Sequence, residues 1–224
     1  MKKRCWLFIL LACATFFPSW AIGDSLHIGT VDEYRLLEEG RRLVPLTGNV
    51  PGLRLDIRYA TDDNFTKTRV YPYAAAYLVS PAARALAMVA DSLSKQGLGI
   101  ILFDAYRPYA ATVRFWELIM NEEYVAHPSK GSRHNRGCAV DLSLYDLGTG
   151  LPLHMPTDYD DFSPRAHAND SLAGPTERHN RKTLQGIMVW AGFEIFPTEW
   201  WHFDYRGWRE WPLWNLSFDE LRSH

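Results

Sequence analysis

Residues 137–144, Gly-Cys-Ala-Val-Asp-Leu-Ser-Leu, alternate as a β-strand does, with Ala139, Asp141 and Ser143 on one face and Cys138, Val140, Leu142 and Leu144 on the other. The pattern sets a carboxylate, Asp141, in the middle of an otherwise apolar strand. Such a group is costly there unless it is paired or bound to a metal. Any fold this chain adopts must therefore bring partners to Asp141.

Disulfides are not available to help. The chain has three cysteines, and two of them fall in an N-terminal segment with the marks of a signal peptide. Lys2, Lys3 and Arg4 form a basic start, Cys5 to Phe17 is an apolar run of 13, and Ser19-Trp20-Ala21 spaces small residues as signal peptidase favours. The run is short of the roughly 18 to 20 residues that span a bilayer. The expectation is a signal peptide over residues 1–21, export most consistent with a periplasmic location, and no stable membrane span after cleavage. The alternatives are a retained anchor, or a lipoprotein attached at Cys13 in Leu10-Leu11-Ala12-Cys13, although the apolar run continues past Cys13. After cleavage only Cys138 remains, so stability must come from the core, with a metal as the one further source open to it.

Loss of that segment leaves 21 Lys+Arg against 26 Asp+Glu, a formal charge of −5. An acidic chain without a basic stripe argues against nucleic acid or anionic lipid as the main partner. With 47% apolar residues, no internal repeat and no linker composition, residues 22–224 read as one domain. Its expected class is α+β, a central, mainly antiparallel sheet flanked by helices.

The expected elements follow from periodicity and punctuation. Leu53 to Tyr59 alternates as a half-buried strand. Ser80-Pro81 supplies an N-cap and a first-turn proline for a helix through Lys95, with Leu86, Val89 and Leu93 on one face and Gly97 beyond its end. Gly99 to Phe103 is a short buried strand that delivers Asp104, Tyr106 and Arg107 to its end before Pro108. Tyr109 to Asn121 reads as a second helix and Glu177 to Ala191 as a third, with short strands over Phe193–Phe196 and Trp201–Tyr205. Between them, Asp146 to Thr176 has little period and much Pro, Asp, Gly and Ser; irregular loops of that length inside compact domains are usually functional or disordered.

Two of the eight histidines lie in dense polar and aromatic surroundings: His134, in Ser132-Arg133-His134-Asn135-Arg136-Gly137, and His202, in Glu199-Trp200-Trp201-His202. Two imidazoles and the strand carboxylate Asp141 make a plausible three-ligand zinc set with a fourth position left for water. Ordinary packing and ion pairing is the alternative. Glu199 and His202 would point to opposite faces of a regular strand, whereas a turn or bulge at Trp200 brings both to one site. A Glu beside the zinc water and outside its ligands is the usual general base of zinc hydrolases. There is no His-Glu-x-x-His helix, which excludes the common zincin arrangement. His127, His154, His167 and His179 lack a partner pattern and read as structural.

The ordered blocks Asp104-Ala105-Tyr106-Arg107-Pro108, Ser132-x-His134-x-x-Gly137-x-Ala139-x-Asp141 and Glu199-Trp200-Trp201-His202 together resemble the zinc D-alanyl-D-alanine dipeptidases of the VanX type, within the wider zinc D,D-peptidase family. The resemblance runs from about residue 45 to 205. It implies one zinc per chain, bound by His134, Asp141 and His202, with Glu199 as general base and Arg107 facing the scissile carbonyl. It further implies that Ser132 helps hold the substrate carboxylate and that Asp160, in Asp158-Tyr159-Asp160-Asp161, pairs with the free ammonium of a dipeptide.

Each assignment has a plainer counterpart: a salt bridge from Arg107 to Asp104, a loop-capping Ser132, a solvated Asp160 whose register is uncertain by one. The expected activity is hydrolysis of D-Ala-D-Ala in peptidoglycan dipeptide turnover. Two alternatives stand beside it. One is a D,D-carboxypeptidase trimming stem peptides, which needs an open cleft where a dipeptidase needs a loop over residues 146–176 that rejects longer chains. The other is a non-catalytic exported cell-wall binding module, suggested by six of nine Trp lying between Trp190 and Trp214; aromatic packing beneath the site accounts for them equally.

Overall fold

The computed structural model describes residues 27–122 and 124–223. The expected signal segment, with Cys5 and Cys13, lies outside the described residues. In chain order the elements are β1 (Ile28–Gly29), α1 (Val31–Arg35), β2 (Leu43–Pro45), β3 (Leu53–Leu55), β4 (Tyr77–Val79), α2 (Ser80–Ser94), β5 (Leu98–Asp104), α3 (Tyr109–Ile119), β6 (Ala139–Asp146), α4 (Pro175–Trp190), β7 (Phe193–Ile195), β8 (His202–Tyr205), β9 (Leu213–Trp214) and α5 (Phe218–Arg222). A five-stranded sheet in the order β3-β5-β6-β8-β7 organises them. Only β3 and β5 run parallel; the other three pairings are antiparallel. The expected α+β architecture with a mainly antiparallel sheet is what forms.

Helices α2 and α4 pack on each other and against β5, β6 and β7. Leu86, Val89 and Leu93 of α2 are fully buried, as their spacing predicts. Strand β6 is the centre of the sheet. Its first seven residues are all buried, so the alternation at 137–144 marks two covered faces and not a wet and a dry one. Val140, Leu142 and Leu144 fill the face turned away from Asp141, with no exposed surface. Cys138 is also fully buried, and burial pushes its thiol pKa up, as expected of a small core residue and not a nucleophile.

Three local expectations are corrected. The strand at Leu53 stops at Leu55 and gives way to a 3-10 turn at Arg58–Ala60. The last ladder bond, Asp56 N–H to Leu102 C=O, comes just before β5 bulges, so β3 loses its partner there. Ser80 is the first helical residue of α2 and makes no capping bond; the extended cap residue is Val79. Helix α3 ends at Ile119, where Met120 takes a left-handed conformation at φ 48°.

The segment after β6 is irregular as expected, apart from a 3-10 turn at Pro164–Ala166, but it is tied down. Leu153 bonds back to Leu144, Thr157 accepts from the Trp200 indole N–H at 2.9 Å, and Tyr159 stacks on Phe103 at 4.5 Å. No helix among the described residues is long and apolar enough to cross a membrane.

Candidate metal centre and active-site cleft

Register places the candidate residues. Asp141 on β6 pairs with His202 on β8, and on its other side with Asp104 on β5. The shift in register between Leu102 and Asp104 puts Asp104 opposite Asp141, so the two carboxylates share a face of the sheet. His134 comes from a 3-10 turn, Arg133–Arg136, that folds over the strand ends. Ser132 caps this turn, its Oγ accepting from His134 N–H at 3.2 Å, and Gly137 closes it at φ 66° before the chain enters β6.

The three expected ligands converge. Asp141 Oδ1 lies 2.9 Å from His202 Nδ1 and 3.5 Å from His134 Nε2, and the two imidazole nitrogens are 3.3 Å apart. These three residues form a group able to hold a metal ion, every one of them buried. Bonds of about 2.0–2.1 Å in a tetrahedron imply donor separations of about 3.3–3.4 Å, close to those seen. The outward nitrogen of each ring is already engaged: His134 Nδ1 meets the Ala105 carbonyl at 2.7 Å, and His202 Nε2 meets Asp204 Oδ1 at 3.1 Å. Those contacts fix which nitrogen of each ring faces the cluster.

The electrostatics favour a cation at this point. Burial alone would lower the His202 pKa, yet its bonds to Asp141 and Asp204 and the nearby Glu199 lift it to about 10. Asp141 is held well below the usual carboxylate range: burial opposes ionisation, and the charges and hydrogen bonds of His134 and His202 outweigh it. Two imidazole nitrogens and a carboxylate oxygen are a fitting zinc donor set. The remaining Asp141 oxygen accepts from the Tyr159 hydroxyl at 3.0 Å.

Glu199 is not on a strand. It sits in the turn before β8, about a quarter exposed, with Oε2 3.7 Å from His202 Nδ1. The turn at Trp200 thus brings Glu199 and His202 together, as the three-residue spacing requires. Burial raises the Glu199 carboxyl above its ordinary pKa, with His202 pulling against it.

Arg107 forms the expected salt bridge with Asp104 and also lines the cleft. Its Nε and Nη2 reach Asp104 Oδ2 at 3.1 and 2.7 Å, Tyr71 donates to Asp104 at 2.9 Å, and the guanidinium lies over the Phe115 ring at 4.8 Å while still lining the cleft. The pair holds the cation in place rather than removing it from the site.

Asp160 also lines the cleft, at φ 61° and within 3.1 Å of the Tyr59 hydroxyl. Burial raises its pKa well above normal, and the charge of Asp141 adds to the effect. Ser132 lines the same cleft, whose volume is about 360 Å³. None of His127, His154, His167 and His179 joins the metal cluster. The Trp-rich segment is mostly packing: Trp200, Trp201 and Trp214 are buried, and Trp190 is the most exposed of the six.

Sequence reasoning missed Tyr59, Tyr71, Tyr159, Arg133 and Asp204 as site residues. Only Asp204 had a local signal, a second carboxylate two places after His202 on the same strand face.

The profile of the family described as D-ala-D-ala dipeptidase matches residues 39–210. The D-alanyl-D-alanine dipeptidase of Escherichia coli K12 is 34% identical over 177 residues, covering 79% of this chain and 91% of that protein. Its namesake from Enterococcus faecium is 34% identical over 190 residues, covering 76% and 93%, and that of Streptomyces coelicolor is 33% identical over 174 residues, covering 69% and 86%. On sequence likeness across most of its length, the chain belongs to the D-Ala-D-Ala dipeptidase family of metallopeptidases.

Proposed function

We propose that this chain is an exported enzyme that hydrolyses the free dipeptide D-Ala-D-Ala with one zinc ion held by His134, Asp141 and His202. The observation that carries the reading is the convergence of that donor set with Glu199 and Arg107 on one cleft. A bound zinc supplies a Lewis acid and a water acidic enough to ionise near neutral pH. Glu199, at the edge of the donor set, takes the proton from the attacking water and passes it to the departing amine. Its raised pKa suits both halves of that transfer. Arg107, fixed by Asp104 and Phe115, meets negative charge as it develops on the scissile carbonyl oxygen.

Substrate ends are met by opposite chemistry. Asp160, a carboxylate with a Tyr59 hydroxyl beside it, pairs with the dipeptide ammonium, which neutralises a charge that burial disfavours. Ser132 accepts from the His134 backbone and still has its own proton to donate to the substrate carboxylate. A role in recovering D-Ala-D-Ala released from peptidoglycan fits the expected signal peptide. The family relatives' names support the substrate, and the loop tied down through Tyr159 and Thr157 sets Asp160 and Phe162 in the cleft wall, which supports a short peptide over an attached stem.

The test is zinc content by elemental analysis, with amine release from D-Ala-D-Ala before and after chelation. Near one zinc per chain and activity restored by added zinc support the reading. Chelator-resistant cleavage overturns it.

A further inference from the structure

Asp204 is buried, and a buried carboxylate needs partners for both oxygens. It has two. Oδ1 lies 3.1 Å from His202 Nε2, and Oδ2 lies 2.7 Å from an Arg133 guanidinium nitrogen. His202 and Asp204 are two apart on β8 and so share a face; across the ladders Asp204 is paired with the small Ala139 on β6 and with the exposed Glu194 on β7. Arg133 is held by rings on two sides, 4.8 Å from Phe196 and 4.7 Å from Trp208.

We infer that Asp204 and Arg133 act as a positioning pair for the metal-binding His202. This rests on the zinc reading above. Either nitrogen of an imidazole can bind a metal, and the hydrogen bond made by one decides the role of the other. Asp204 accepts the hydrogen bond from Nε2–H, so His202 turns the Nδ1 lone pair toward Asp141 and His134. Arg133 in turn holds the carboxylate so that one oxygen stays aimed at the ring. It also precedes His134 in the same 3-10 turn, so one short segment carries a ligand and the cation that orients the second ligand.

The two imidazoles differ in this respect. His134 is oriented by the backbone carbonyl of Ala105, which no side-chain change removes, whereas His202 depends on a carboxylate that a single substitution alters. Asp204 does not line the cleft, whereas Arg133 does, so an effect on the metal separates from an effect on substrate at Asp204, and zinc affinity alone is the readout at Arg133.

The experiment is an equilibrium zinc titration of the full chain against a chromophoric chelator, with the absorption of the cobalt-substituted protein as a second readout. Asp204→Asn keeps the shape and removes the charge. It should weaken zinc about ten- to one-hundredfold and shift the cobalt bands, while the zinc-saturated variant keeps its KM for D-Ala-D-Ala. If that variant does not fold, Arg133→Met carries the test, with about tenfold weakening expected by the same principle. Zinc affinity within twofold of the unmodified chain, in whichever folded variant is measured, overturns the inference. Failure of the unmodified chain to bind zinc overturns the metal reading instead, so the two failures are distinct.

Discussion

Asp141 and His202 stand opposite each other in the β6–β8 ladder, with Oδ1 and Nδ1 2.9 Å apart. The spacing comes from strand register, so the pair is built into the centre of the five-stranded sheet.

Removing His202 takes away one donor of three, whereas Glu199 lies at the margin of the cluster. His202→Ala is expected to lose bound zinc by elemental analysis. Glu199→Ala is expected to retain it and to lose turnover by about 10²- to 10⁴-fold, the usual worth of a general base. Full activity in Glu199→Ala removes it from the mechanism.

Asp160 is expected to trade stability for binding. Its folded pKa is raised, above all by burial, then by Asp141. For an acid shifted upward, the unfolded chain gives up its proton first, so stability falls as pH climbs from the ordinary carboxylate value of about 4 toward the folded one. Asp160→Asn removes that penalty. It should raise the thermal midpoint at neutral pH and also raise KM for D-Ala-D-Ala; a lower midpoint at neutral pH contradicts the account.

Tyr159 holds the Asp141 oxygen that faces away from the two imidazoles, at 3.0 Å. Tyr159→Phe keeps the ring stacked on Phe103 and deletes the donor. Urea unfolding of the metal-free protein should show a loss of about 1–3 kcal/mol, the range for a buried acceptor left unmet. An unchanged midpoint assigns the hydroxyl no such role.

Cys138 has no exposed surface and a thiol pKa raised by burial. Iodoacetamide should leave it unmodified in the folded protein and alkylate it in urea, with the site read by mass spectrometry. Rapid labelling without denaturant contradicts its placement in the core.

The residues of the candidate metal cluster were legible because each lay in a compact local pattern: Asp141 in an apolar strand, His134 in a Ser-containing turn before Gly137, and His202 three residues after a Glu. The regular elements were legible for a similar reason, since α2 and β6 carry periodic signals and β5 an uninterrupted apolar run. The shortened β3 was not, because its end is set by a bulge in another strand. Nor were the partners that steady the site. Tyr59 meets Asp160 across 101 positions and Arg133 meets Asp204 across 71, and contacts of that span leave no periodic trace. Arg107 shows a further limit: a salt bridge and a cleft-facing cation read as alternatives in the sequence, and the fold uses both.

The proposed enzyme cleaves, with a metal, a dipeptide recognised by its free amine. The most direct measurement is amine release by the zinc-loaded chain from D-Ala-D-Ala and from N-acetyl-D-Ala-D-Ala, each with and without chelator. Chelator-sensitive cleavage of the free dipeptide alone is expected. Equal cleavage of the acetylated peptide contradicts it, because Asp160 then has no ammonium to recognise and the cleft serves a carboxypeptidase.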